Sequence, residues 1–181
     1  LVPAMQIVSR DFSLGQKRFG GLEAVIRRAA NGVLIEKVET VAPSFSISAT
    51  GDWLLDPVEV AGSRTRMTAT IASYDVKAMM NSLGYQPGIN AEQLSSDLEI
   101  SWGGGPSETF VESLDGSASI TINNGTLDEV EPGAGRVVGL MSVAELPRRL
   151  ALDFRDVFRK GFSFDLIQGD FRMVNGDAFT C

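Results

Sequence analysis

With 181 residues, 44% of them hydrophobic, the chain can bury a sizeable core without a disulfide or metal staple. Its net charge of −7 argues against a protein that holds nucleic-acid phosphates or anionic head groups by charge. The absence of His, with a single Cys, removes zinc sites, Cys-His nucleophiles and internal disulfides together. One domain is expected over residues 1–181. No apolar run approaches the 18 or so residues of a membrane span; Val137-Val138, with Leu140-Met141 beyond Gly139, is among the longest. The chain lacks an initiator Met and a charged-then-apolar leader, and it stops at Phe179-Thr-Cys181 on what reads as a new strand. It therefore reads as a piece of a longer protein, with Cys181 a boundary feature and not a site.

Short alternating runs dominate from the N-terminal side onward. Ser44-Phe-Ser-Ile-Ser-Ala puts Phe45, Ile47 and Ala49 on one face and serines on the other, the pattern of a half-buried antiparallel strand. Asp97-Leu-Glu-Ile-Ser-Trp repeats it with Leu98, Ile100 and Trp102, and Ser117-Ala-Ser-Ile-Thr-Ile with Ala118, Ile120 and Ile122. Asn31-Gly32, Asn124-Gly125 and Asn175-Gly176 each predict a hairpin, because both residues accept the positive φ of a type I′ turn. Strands so joined make an antiparallel meander. Within residues 162–173 the alternation changes phase: Phe162, Phe164 and Leu166 are even, whereas Ile167, Phe171 and Met173 are odd. A bulge near Gly169 reconciles them.

Between the strands, Asp75 can cap a short amphipathic helix of Val76, Met79, Met80 and Leu83 that ends at Gly84. A second helix is predicted after Gly135, where Val137, Val138, Leu140, Met141 and Ala144 fill a wide arc before Pro147 stops it. Over residues 147–160 a helix ending at Gly161 fits Leu150, Phe154, Val157 and Phe158; Leu150, Leu152 and Phe154 also alternate, and helix is the favoured reading.

Catalytic readings are weak. Gly133-Ala-Gly135-Arg-Val-Val-Gly139 is one residue longer than a dinucleotide fingerprint, and no β-α-β unit surrounds Asp153, so it reads as a compact turn. Trp102-Gly-Gly-Gly-Pro106 lacks the Lys and Ser/Thr of a phosphate loop and reads as a loop after a strand. Asp153 and Asp156 are crowded by Arg148, Arg149, Arg155, Arg159 and Lys160, which makes solvated ion pairs the better account than an acid–base couple. A sugar-cleaving or sugar-binding β-sandwich would need clustered aromatics and carboxylates, and two Trp and two Tyr make that poor. Met79, Met80, Met141 and Met173 suit either a pliable lipid surface or an ordinary core.

The run Pro132-Gly-Ala-Gly-Arg-Val-Val-Gly-Leu-Met-Ser, with Leu146-Pro-Arg-Arg-Leu, Leu152-Asp-Phe-Arg-Asp-Val-Phe and Gly161-Phe-Ser-Phe-Asp, resembles the AsmA-like C-terminal region of the YhdP family. The strand before Gly51-Asp-Trp53, the helix ending at Leu83-Gly84 and Leu98-Glu-Ile-Ser-Trp102-Gly extend the resemblance over residues 45–180, with residues 1–44 compatible. It implies a mainly β protein with a few short helices, its antiparallel meander forming an open, folded-over sheet whose concave face is an apolar trough.

The implied role is non-catalytic. A periplasmic segment of an inner-membrane-anchored protein of Gram-negative bacteria would move phospholipid toward the outer membrane, meeting acyl chains and, through the full-length protein, components of both membranes. No cofactor, metal or nucleic acid is expected. The candidate trough lining, chosen from apolar strand faces and not from a family motif, is Phe45, Ile47, Leu98, Ile100, Trp102, Ile120, Ile122 and Leu127. Open sheet edges imply self-association of the isolated segment. The alternative is a periplasmic scaffold or interaction module supporting outer-membrane assembly, in which residues 133–161 dock a partner.

Overall fold

The computed structural model describes residues 4–105, 110–127 and 162–180. The two helices and the glycine-rich turn expected within residues 128–161, the carboxylates at 153 and 156, and Cys181 lie outside the described residues.

Among the described residues, nine antiparallel strands form one sheet in the order of the chain. They are β1 Met5–Leu14, β2 Lys17–Ala29, β3 Gly32–Val41, β4 Phe45–Leu55, β5 Ser63–Ser73, β6 Ile89–Gly103, β7 Asp115–Leu127, β8 Phe162–Val174 and β9 Asp177–Thr180. Among the described residues the meander is open: no strand returns to pair with an earlier one. Helix α1, Val76–Ser82, joins β5 to β6, and a 3-10 turn, Phe110–Ser113, precedes β7.

The register carries one apolar face across the sheet. Directly paired residues point the same way in an antiparallel ladder, and Ala49 pairs with Ala69, Ala69 with Leu98, Leu98 with Ala118, and Ala118 with Phe171. One step away, Gly51, Met67, Ile100, Gly116 and Met173 form the next row. The opposite face carries Ser48, Thr70, Asp97, Ser119 and Asp170 in register. Two hydroxyls there donate to neighbouring carboxylates, Thr70 Oγ1 to Asp97 Oδ1 at 2.9 Å and Ser119 Oγ to Asp170 Oδ1 at 2.7 Å. Burial of the first face is the driving force; the second is satisfied by water and by these bonds.

The strands bend along their own length. In β3 an extra residue between Ile35 and Val38 shifts its pairing with β4, and β1 shifts between Ser9 and Phe12. At Gly51 and Gly116 the neighbouring backbone comes so close that a Cβ would run into the carbonyls of Arg66 and Glu99, so only glycine fits these bends. Helix α1 sits on the inner, apolar side and touches both β6 and β2, which are not neighbours in the sheet, so the walls rise on either side of it.

Two sequence expectations are corrected. Asn124-Gly125 is not a hairpin: it lies inside β7, with Asn124 in the left-handed region at φ 51°. The phase change in β8 is not at Gly169, where pairing with β7 runs without a shift. It falls at Asp165-Leu166, after half-buried Phe164, where pairing is interrupted opposite Asn124. Glu92 of β6 is likewise skipped opposite Asn124, so three adjacent strands change parity on one line. The predicted hairpin at Asn175-Gly176 is present, with both residues at positive φ, and β2 turns into β3 at Ala30-Asn31 just before Gly32.

Candidate functional site

The apolar face is closed in two places. At one rim Asp75 caps α1, its Oδ1 accepting from the Ala78 N–H at 2.9 Å, while Ser73 Oγ holds the Asp75 N–H at 3.2 Å. That geometry turns Val76 and Met79 onto Phe45, Ala42, Ala91 and Ile122 as one buried cluster. Phe45 is fully buried, and Ile47, Ile71, Leu94, Ile120 and Phe164 pack around the cluster. Beyond the helix, Lys17 Nζ lies 3.3 Å from the Tyr85 hydroxyl and 5.3 Å from its ring centroid, tying the β1–β2 turn to the segment that follows α1.

At the other rim the residues after β6 fold inward. Thr65 is fully buried and donates to the Gly104 carbonyl at 2.7 Å; Trp102 Nε1 donates to the Gly105 carbonyl at 3.0 Å. Phe110 of the 3-10 turn packs on Trp102 with ring centroids 4.7 Å apart, and Leu114 is buried nearby in the sequence. Trp53 Nε1 donates to Ser63 Oγ at 3.0 Å.

The eight positions expected to line a trough come to one face. Phe45 and Ile47 of β4 connect through β5 to Leu94 and Ser96 of β6, and these pair with Ile122 and Ile120 of β7. Leu98, Ile100 and Trp102 continue the same face of β6. Leu127 joins it because the parity break at Asn124 compensates its odd number: it pairs with Ile89 and Phe162, and Ile89 packs against the α1 cluster. Phe45, Ile122 and Trp102 are shut in at the rims, whereas Leu98 and Ile100 are half-buried between them. Sequence reasoning missed β1 to β3 as contributors: Ile26, Ile35 and Val38 extend the face, hidden by the extra residue in β3. It also left out Met67, whose strand of Arg, Thr and Ala carries little apolar signal.

Charge lies on the polar side. Lys37 bridges Glu23 at 2.8 Å and Glu39 at 2.9 Å, which holds the Glu23 carboxyl below its ordinary value and the Lys37 ammonium above its own. Arg27 is raised by Glu36 in the same manner. Two shallow depressions, of about 580 Å³ beside Asn124 and Asp165 and about 420 Å³ beside Arg66 and Glu99, are lined by polar and apolar groups in similar measure. Among the described residues no group of three or more His, Cys, Asp or Glu could hold a metal ion, and no helix is long and apolar enough to cross a membrane. What the arrangement offers chemically is contact with aliphatic surface.

Comparison with known proteins bears on that face. The model of the family described as "YhdP protein" matches residues 1–180. A protein of Escherichia coli (strain K12) described as "Intermembrane phospholipid transporter YhdP" is 28% identical over 180 residues, which cover 98% of this chain but 14% of that protein. No solved structure matches. With a match over nearly its whole length, the first 44 residues included, this chain belongs to the YhdP family.

Proposed function

We propose that this chain is one stretch of a conduit that carries phospholipid between the inner and outer membranes, its tails lying on the apolar inner face of the sheet. In this reading it is a single domain within the periplasmic part of a longer, inner-membrane-anchored protein, and it does no covalent chemistry. One observation carries the reading: a sheet apolar on one side across β2 to β8 is covered at its rims by α1 and the 3-10 turn, with no second sheet laid over it among the described residues. The similarity over 180 residues to the transporter named above supports it. The magnitude fits the task. At about 0.8 kcal/mol per CH₂, taking one ~16-carbon tail through water costs roughly 13 kcal/mol, and an aliphatic gutter removes most of that barrier. Tails would run over Leu98 and Ile100, between Phe45 and Ile122 as the sealed edge on one side and Trp102 on the other, with Ile47, Ile120 and Leu127 continuing the apolar face at the α1 rim.

Neighbours on β6 supply the test. Glu99 is exposed on the polar face and Ile100 half-buried on the apolar one, a single peptide apart. A photocrosslinking residue at Ile100 of the full-length protein is expected to capture phospholipid, and one at Glu99 is not. Equal capture at both, or capture of protein alone at Ile100 in folded material, overturns the conduit and favours a scaffold.

A further inference from the structure

Strand β6 is the strand that both inward-folded elements pack on: α1 at its first residues and the 3-10 turn at its last. From Ser96, buried next to the α1 cluster, to Trp102, buried under Phe110, the strand advances six residues, about 20 Å at roughly 3.3 Å per residue. Side chains leaning in from both rims take roughly 4–5 Å each, and a methylene chain in van der Waals contact takes about the same, which leaves room for about two chains. Over that interval the face presents only Leu98 and Ile100, both half-buried. Among the described residues the 3-10 turn packs on β6, whereas β2 is touched by α1.

Building on the conduit reading, we infer that β6 is its narrowest point, a constriction that passes the two tails of one diacyl lipid at a time, with Leu98 at the centre of the opening. Single-file passage follows from the width. α1 makes its contacts to the face through Val76 and Met79, with Met80 and Leu83 beside them, and the two unbranched methionines can yield to a methylene chain without leaving a polar atom exposed.

The experiment uses the full-length protein with a photocrosslinking residue at Ile26 on β2 or at Met173 on β8, one on each side of β6. In each, Leu98→Trp is compared with Val38→Trp, which adds the same ring to the same row of the face on β3. Leu98→Trp is expected to change the ratio of phospholipid captured at the two positions at least fivefold, the downstream side losing signal, while Val38→Trp changes it less than twofold. Circular dichroism checks folding; should Leu98→Trp unfold, Leu98→Phe decides by a change of at least twofold, with Leu98→Ala as the unobstructed reference. An unchanged ratio in folded Leu98 variants, or an equal change from Val38→Trp, overturns the constriction and leaves the conduit standing. No phospholipid at Ile26, Ile100 or Met173 in the parent protein overturns the conduit itself, and the constriction with it.

Discussion

At Gly116 the chain shows how a single atom shapes the sheet. Its φ of 147° and the closeness of the Glu99 carbonyl leave no place for a Cβ, so Gly116→Ala is expected to lower stability by about 2 kcal/mol or more, through backbone strain in β6 and β7 together. Gly88 has nothing near its missing Cβ, and Gly88→Ala is expected to be neutral or stabilising by about 0.4–1 kcal/mol. Urea midpoints of the two variants check both; equal losses would show that the close approach at Gly116 carries no strain. Asp75 acts at the same scale by a different means. Removing its carboxylate leaves the Ala78 N–H without a partner and is expected to cost about 1 kcal/mol.

The element with most at stake is α1, too short at seven residues to persist without packing. Met79→Ala is expected to lower stability by about 2–4 kcal/mol by opening a cavity against Phe45, measured by the same denaturation. On the polar face the Glu23–Lys37–Glu39 bridge joins β2 and β3. Because the Glu23 carboxyl titrates below its ordinary 4.5, its contribution is present above that value and lost as pH falls through the lowered one. The raised Lys37 contributes below 10.5 and loses that contribution as pH rises through its own raised value. Lys37→Gln should therefore flatten the acid-side fall in melting temperature, and an unchanged fall would remove the bridge from the account. These elements were unequally legible from residue order. Alternation located β4, β6 and β7, and capping located α1, since each depends on neighbours within a few positions. Parity in β7 and β8 was misplaced because Asn124-Gly125 carries the same local preference for positive φ whether it closes a hairpin or creases a strand; pairing on both sides decides which. The sealing of Phe45, Ile122 and Trp102 was not readable, because a helix cover and a lipid tail select the same side chains.

For the whole molecule, openness has a cost. β1 and β9 are edges of the described sheet, and β9 pairs only with Phe171 to Val174 of the longer β8. Backbone groups on such edges seek other strands. The isolated 181-residue chain is expected to associate as its concentration rises, read by sedimentation velocity. A strict monomer whose terminal strands resist amide exchange would count against open edges. The same openness explains why net charge and residue inventory excluded more than they identified: an aliphatic gutter needs no special residue, only a face kept free of polar groups over many strands.

The parity break shared by Glu92, Asn124 and Asp165 binds three distant stretches of the chain into one unit of change. Deleting Asn124 alone would turn Leu127 outward while its partners Ile89 and Phe162 stayed inward, since a one-residue slip exchanges the faces of everything beyond it. Deleting all three would restore agreement among the strands but swap inside for outside at that rim. An insertion or loss at this line is thus tolerable only when matched in strands 32 to 73 residues away along the chain, so length variation among relatives should avoid these positions or strike all three together.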